Sequence, residues 1–324
     1  MSVGVGVIGT GVMGSEHARL LSRETPDAHL AGDFDADAAR AQAAAAGATV
    51  FPDPRSLIKS DRVGAVIIAS PDGTHAELTL ACLEAGKPVL CEKPLASSAA
   101  EALRVVQAEV ALKRRLIQVG YMRRFDPGYQ EMKRIKDEGD MGATVLLHNV
   151  HRNARAPEWF TGPMAVTNSF VHEIDVSRWL TGSEMVSAQV AIGPGGDPLM
   201  ITMRTNRDEI VSTEVYMNAA YGYHVHAELV GRHGTVALAP PSLTMRNKDR
   251  IGGIAYPDNW IPRFADAYRR QLTDWISAVT TGTPVGASAW DGYVASAIAE
   301  QIAAGLAESH ATTLKCPSRP SLYD

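Results

Sequence analysis

A chain of 324 residues, 45% hydrophobic and 21% charged, can bury the cores of two domains and is too apolar to be disordered. Its net charge of −5 supplies no basic field, which excludes nucleic acid as an expected partner, and no apolar run approaches membrane-spanning length. Cys82, Cys91 and Cys316 are widely spaced with no metal-type pairing, so the expectation is no metal and a reducing, cytoplasmic setting. Met1-Ser2 leads straight into a strand, leaving no room for a signal peptide.

The first element is the β-type run Val5-Gly6-Val7-Ile8, feeding Gly9-Thr10-Gly11-Val12-Met13-Gly14 and a helical pattern through His17, Leu20 and Leu21. A glycine-rich turn between a strand and a helix is the context of a dinucleotide fingerprint. Gly9 makes the tight turn, Gly11 admits a pyrophosphate to the backbone, and Gly14 lets helix and strand approach. Thr10, Val12 and Met13 complete the expected phosphate cradle at the helix N-terminus. The next strand, Ala28 to Gly32, ends in Asp33, about 20 residues beyond the glycines, where an acid accepts bonds from ribose hydroxyls. A carboxylate there repels a 2′-phosphate, and Phe34-Asp35 offers no neighbouring Arg, so the expected cofactor is NAD rather than NADP. Asp35 and Asp37 read as solvated helix-start acids.

A continuous apolar run from Val63 to Ala69 suits a buried parallel strand. It ends at Ser70-Pro71-Asp72-Gly73-Thr74-His75, a turn opening a helix through Leu78, Leu80, Ala81 and Leu83, which Gly86 stops. Pro88 to Cys91 is the next strand, followed by a helix from Ser98 to Leu112 and a strand from Leu116 to Val119. This series predicts a doubly wound parallel sheet, a Rossmann dinucleotide-binding domain over residues 1–120. Ser70 and His75 in that turn, with Glu92 and with Lys93 at the carboxyl end of a parallel strand, where such sheets place their ligand crevice, are the remaining expected cofactor contacts. From Tyr121 the pattern changes. Strand-like stretches at 144–151, 186–192, 199–204, 210–217 and 223–230, then helical patterns at 264–281 and 288–307, predict an α+β domain over 121–324 with a large, mainly antiparallel open sheet.

Oxidising a secondary alcohol needs a hydride acceptor and a group that takes the hydroxyl proton. Lys93, partly desolvated at a strand end beside a cationic nicotinamide, would have a lowered pKa and could hold the reacting oxygen, with Glu92 tuning or orienting it. In Asn168-Ser169-Phe170-Val171-His172-Glu173-Ile174-Asp175, Asn168 or Ser169 can cap a helix that Gly182 ends, and Glu173 and Asp175 suit its first turn. Helical spacing puts Asn168, His172, Asp175 and Trp179 near one face.

Glu92-Lys93-Pro94, the amino-terminal fingerprint and His172-Glu173-Ile174-Asp175 together resemble the glucose–fructose oxidoreductase/inositol dehydrogenase family over essentially the whole chain. Gln118 to Asp126, His151-Arg152-Asn153, Tyr221-Gly222-Tyr223 and Ser288 to Tyr293 resemble its inositol 2-dehydrogenase branch. The resemblance implies a Rossmann domain joined to a sheet domain whose open face holds substrate, assembled as a homotetramer through those sheets. It implies NAD-dependent oxidation of a secondary hydroxyl of a cyclic polyol, an inositol. His172 would accept the proton with Asn168 beside it, and Lys93, Arg123, His151, Asn153, Asn168, His172 and Tyr223 would meet the substrate. Inositol members usually carry Asp where this chain has Asn168, and tend to have Asp where it has His224; the loop Ile192 to Pro198 is shorter. Alternatives are pyranose oxidation, an NAD-dependent glycosidase, or a catalytically dead cofactor-binding regulator, the last disfavoured by Lys93 and His172.

Overall fold

The computed structural model describes residues 2–158, 160, 162–306 and 311–324. One unit comprises Met1–Met122, Tyr268–Ala297 and Pro317–Asp324; the other comprises Arg123–Ala267 and Ile298–Cys316. Each is therefore assembled from more than one stretch of chain.

In the first unit, β1 (Val3–Ile8), β2 (Ala28–Phe34), β3 (Thr49–Val50), β4 (Ala65–Ile68), β5 (Val89–Cys91) and β6 (Ile117–Val119) form one parallel sheet in the order β3-β2-β1-β4-β5-β6. That is the predicted doubly wound sheet. Helices α1 (Val12–Arg23), α2 (Ala38–Ala44), α3 (Pro54–Lys59), α4 (His75–Glu84) and α5 (Ala99–Leu112) connect the strands. Every residue of β4 is buried, as a strand covered on both faces requires. Side chains cap three of these helices at the N-terminus: Asp37 caps α2, Asp53 caps α3 and Ser98 caps α5. Strand β2 runs on to Phe34, so Asp33 lies inside the ladder, opposite Val7 on one side and Val50 on the other.

The second unit opens with α6 (Pro127–Glu138), capped by Asp126, with Pro127 in its first turn. Its sheet contains β7 (Thr144–Arg152), β8 (Met185–Ile192), β9 (Leu199–Thr205), β10 (Ile210–Tyr216), β11 (His224–Gly231), β12 (Thr235–Ala237) and the short β15 (Thr312–Thr313), in the order β12-β11-β7-β10-β9-β8-β15. All pairings are antiparallel except β7 with β10, so the sheet is mixed and mainly antiparallel, as expected. Side chains alternate between buried and exposed or half-buried along β9, β10 and β11. Leu147, Thr213, Ala227 and Ile201 are buried on one face, while Met200 and Ile210 are exposed on the other. Helix α7 (Val171–Thr181) follows a π-helical turn over Ala165–Phe170 and ends at Gly182, whose φ of 68° only glycine adopts freely. A separate hairpin pairs β13 (Arg246–Lys248) with β14 (Ile251–Gly253).

The long helices α8 (Trp260–Thr281) and α9 (Ala289–Ala304) correspond to the two late helical patterns. The second pattern was expected to reach 307, a position outside the described residues; α9 ends at Ala304.

Candidate active site

The glycine turn is built by exclusion. A Cβ on Gly9, whose φ is 86°, would lie 2.4 Å from the Ser70 backbone, and one on Gly14 would lie 1.7 Å from the Gly9 carbonyl oxygen. At Gly11 a Cβ would meet no protein atom within 4 Å, so this backbone is open to a ligand. Gly11 is also the N-cap of α1 and provides no side-chain acceptor, leaving the first-turn N–H groups of the helix for an anion. An open cleft of about 1020 Å³ continues from there, lined by Gly9, Gly11, Asp35, Arg40, Ser70 and Leu78 among others. Its size and its uncapped helix end fit a nicotinamide dinucleotide.

The acid at the strand end is Asp35, which corrects the expectation for Asp33. Asp33 has 0% of its surface exposed and neither carboxylate oxygen has a hydrogen-bond partner, so it cannot meet a ribose in the cleft. Burial, with help from Asp35, pushes its pKa up to about 6. Asp35 instead lines the cleft and accepts hydrogen bonds from Thr10 N at 2.6 Å, Thr10 Oγ1 at 3.2 Å and Asp37 N at 2.8 Å. Partial burial opposes its charge, but these N–H and O–H donors outweigh it and hold the carboxyl below its ordinary range. Arg40, which sequence reading passed over, also lines the cleft and is paired with Asp37 at 3.4 Å.

Of the other cofactor candidates, Ser70 lines the cleft and its hydroxyl meets Thr74 Oγ1 at 2.6 Å. His75 does not face it. The ring is 1% exposed, with Nδ1 2.6 Å from the Pro94 carbonyl oxygen and Nε2 2.8 Å from that of Ser70. Glu92 is likewise turned inward, accepting from His17 Nε2 of α1 at 2.7 Å, so it anchors β5 to that helix instead of meeting cofactor. Lys93 lies two residues beyond β5, at the carboxyl end of the parallel sheet, and is half-buried.

In the second unit Arg123, His151, Asn153 and Tyr223, four of the expected substrate residues, form one largely buried polar cluster with Glu173. Arg123 is 1% exposed and its Nη1 donates to the fully buried Glu173, whose carboxylate also accepts from His151 Nδ1 at 3.0 Å. Burial works against both charges, and their mutual attraction overcomes it: Glu173 is held below the usual carboxylate range and Arg123 above its own. Asn153 Nδ2 approaches His151 Nε2 at 3.4 Å, and Tyr223 packs edge-on against His151 with centroids 6.0 Å apart. Burial first of all pushes the Tyr223 phenol up to about 12.

Helix α7 departs from its sequence reading. Neither Asn168 nor Ser169 caps it: both lie in the π-helical turn, and the helix begins after Phe170 without a side-chain cap. Glu173 and Asp175 are ion-pair partners rather than helix-start acids, Asp175 accepting from Arg124 Nη2 at 2.6 Å and Nε at 3.0 Å. The π-turn takes Asn168 out of the 3.6-residue spacing that placed it on one face with His172, Asp175 and Trp179, while His172 and Asp175 keep theirs within α7. His172 is buried in the first turn of α7 and Asn168 is half-buried. Glu173 is the residue that sequence reasoning undervalued, and its adjacency to His172 in the quoted motif was the available signal.

Comparisons with known proteins agree over the full length. Residues 3–121 match the model of an oxidoreductase family with an NAD-binding Rossmann fold, and residues 129–237 match the GFO/IDH/MocA C-terminal domain. Inositol 2-dehydrogenase 1 of Saccharopolyspora erythraea is 48% identical, over 100% of this chain and 99% of its own. An inositol 2-dehydrogenase of Paracoccus denitrificans is 38% identical, over 100% of both chains. The crystal structure of myo-inositol dehydrogenase from Lactobacillus casei in complex with NAD(H) and myo-inositol superposes with a TM-score of 0.96 at 32% identity, covering 100% of each chain.

Proposed function

Because the chain belongs to the Gfo/Idh/MocA oxidoreductase family, we propose that it oxidises one secondary hydroxyl of an inositol to a ketone with NAD. The observation that carries this reading is the end-to-end likeness to inositol 2-dehydrogenases, in a chain that keeps Lys93 at the end of β5 and His172 at the start of α7. Bound NAD supplies the hydride acceptor.

The protein's own groups do the rest. The first-turn N–H groups of α1 bind the pyrophosphate, and Asp35 accepts from the ribose hydroxyls. Lys93 donates a hydrogen bond to the reacting oxygen and stabilises negative charge there. His172 takes the hydroxyl proton, oriented by Asn168. His151, Asn153 and Tyr223 bind the remaining hydroxyls, with Arg123 supporting them from inside. Converging donors and acceptors on rigid strands suit a ring bearing many hydroxyls.

No helix among the described residues is long and apolar enough to cross a membrane. Cytoplasmic residence is supported by Cys82, Cys91 and Cys316 being free thiols, and a homotetramer by the exposed Met200 and Ile210 on the open sheet face.

A panel of inositol isomers and sugars with NAD, followed by NADH absorbance, tests the reading. NADH formed with at least one inositol is expected; turnover confined to pyranoses, or none at all, overturns it.

A further inference from the structure

His75 is the first residue of α4, and both of its ring nitrogens sit against backbone carbonyl oxygens, 2.6 Å from Pro94 and 2.8 Å from Ser70. A neutral imidazole carries one N–H and one bare lone pair. In that form one of these contacts would set a nitrogen lone pair against a carbonyl lone pair inside hydrogen-bond distance. Only the doubly protonated ring satisfies both. We propose that His75 is a permanent buried imidazolium that ties the cofactor-cleft wall at Ser70 to the Lys93-Pro94 loop, and so acts as a positioning residue for Lys93.

The two anchor points give the tie its consequence. Ser70 lines the nucleotide cleft, and Pro94 immediately follows the lysine assigned to the reacting oxygen. Burial opposes the charge most strongly, and the N-terminus of α4 is unfavourable to a cation. Against them stand Cys91, facing the ring from β5, and the Pro94 and Ser70 carbonyls, which together lift the group to about 10. Both N–H groups are spent on backbone carbonyls, so the ring has none to offer a ligand, and its 1% exposure leaves no surface for one. Its effect on the reaction therefore passes through Lys93.

The inference rests on the proposed role of Lys93, so the test has one arm that needs no substrate. In the full-length protein labelled with [15N]histidine, His75 is assigned by the signals lost in His75→Gln. An ordinary histidine loses its proton near pH 6.5; His75 should show two protonated ring nitrogens from pH 6 to about pH 9. One bare nitrogen at neutral pH overturns the charged form, whatever the enzyme turns over. In the second arm, His75→Leu should lose about 10- to 100-fold in turnover of the inositol oxidised by the native enzyme, the scale expected of a misplaced reacting group. NAD affinity, read by protein fluorescence, should stay within about threefold, since the glycine turn is untouched, and His75→Gln, which keeps one donor, should fall between. Native turnover in His75→Leu overturns the positioning role. If the native protein oxidises no inositol, the functional reading fails while the nitrogen spectrum still decides the charge of His75.

Discussion

The two units differ in how far they rely on side-chain pairing of buried charge. The first pairs Glu92 with His17 but leaves Asp33 inside its sheet with both oxygens unpartnered, holds His75 between two backbone carbonyls, and offers the backbone of a glycine turn to its proposed cofactor. The second pairs its charges side chain to side chain: Arg123 with Glu173, Arg124 with Asp175, and Arg263 with Asp126 at 2.6 Å. The difference suits the proposed ligands. A pyrophosphate is recognised by N–H groups that any sequence supplies once glycine opens the turn. A polyol has no charge to attract, so its donors and acceptors must be oriented side chains, and those need rigid support.

The largest expected effect breaks the division of labour. Lys93→Ala should reduce turnover by about 10²–10⁴-fold with NAD affinity unchanged; a variant near native activity by NADH formation would remove Lys93 from the chemistry. Next, Glu173→Ala leaves the buried Arg123 without its counter-charge, which costs about 3–5 kcal/mol of stability. The second unit should then melt at a markedly lower temperature by calorimetry, and an unchanged melting profile would show that the pair is dispensable.

Asp33 sharpens the contrast, because it has no partner to lose. Its folded pKa is raised from 3.8 to about 6, so the folded chain binds the proton more tightly than the unfolded one. The group imposes no penalty below about pH 3.8; as pH rises to about 6 the folded state must ionise a buried carboxyl, costing up to about 3 kcal/mol. Asp33→Asn should therefore be more stable than the native chain above about pH 6, with the gap closing towards about pH 4. Urea unfolding at several pH values reads this directly; a gap independent of pH contradicts it.

Cofactor choice separates the two acids. Asp35→Ser combined with Val12→Lys removes one like charge and adds a phosphate partner at the start of α1, and should raise the NADP-to-NAD ratio of kcat/KM by about 10- to 100-fold. Asp33→Ser with the same Val12→Lys should not benefit from removing a charge at the cleft; an equal gain would return the ribose role to Asp33. The smallest effect concerns Asn168. If Asn168 orients His172 as proposed, replacing it by Asp brings a negative charge to that imidazole and raises its pKa. The acid limb of the rate–pH profile should move upward by about one unit or less, with altered ranking across the inositol panel. A native profile and ranking would make this position structural.

Legibility in the sequence followed the same divide. Gly9, Gly11 and Gly14, the strands flanking them and the place of Lys93 after β5 were all readable, because turn geometry and strand patterning depend on near neighbours. Asp33 was misassigned because its role turned on where β2 stops. The strand continues to Phe34 and retains Asp33 in its ladder, while the chain leaves the sheet at Asp35 and presents that acid to the cleft. Helix α7 looked like an ordinary capped helix, since nothing local announces a π-turn over Ala165–Phe170.

What the sequence alone determined is the class of each unit, the mainly antiparallel second sheet and the backbone cradle for a dinucleotide. These rest on hydrophobic period and on glycine's freedom, both properties of consecutive residues. Only the tertiary structure decided which charges are partners. Arg123 stands 50 positions from Glu173, and His151 stands 22 from it. Whether a carboxylate 173 residues into the chain is a helix-start acid or the support of a buried cluster depends on what the fold brings against it, because the cost of burying a charge is set by its partners in space.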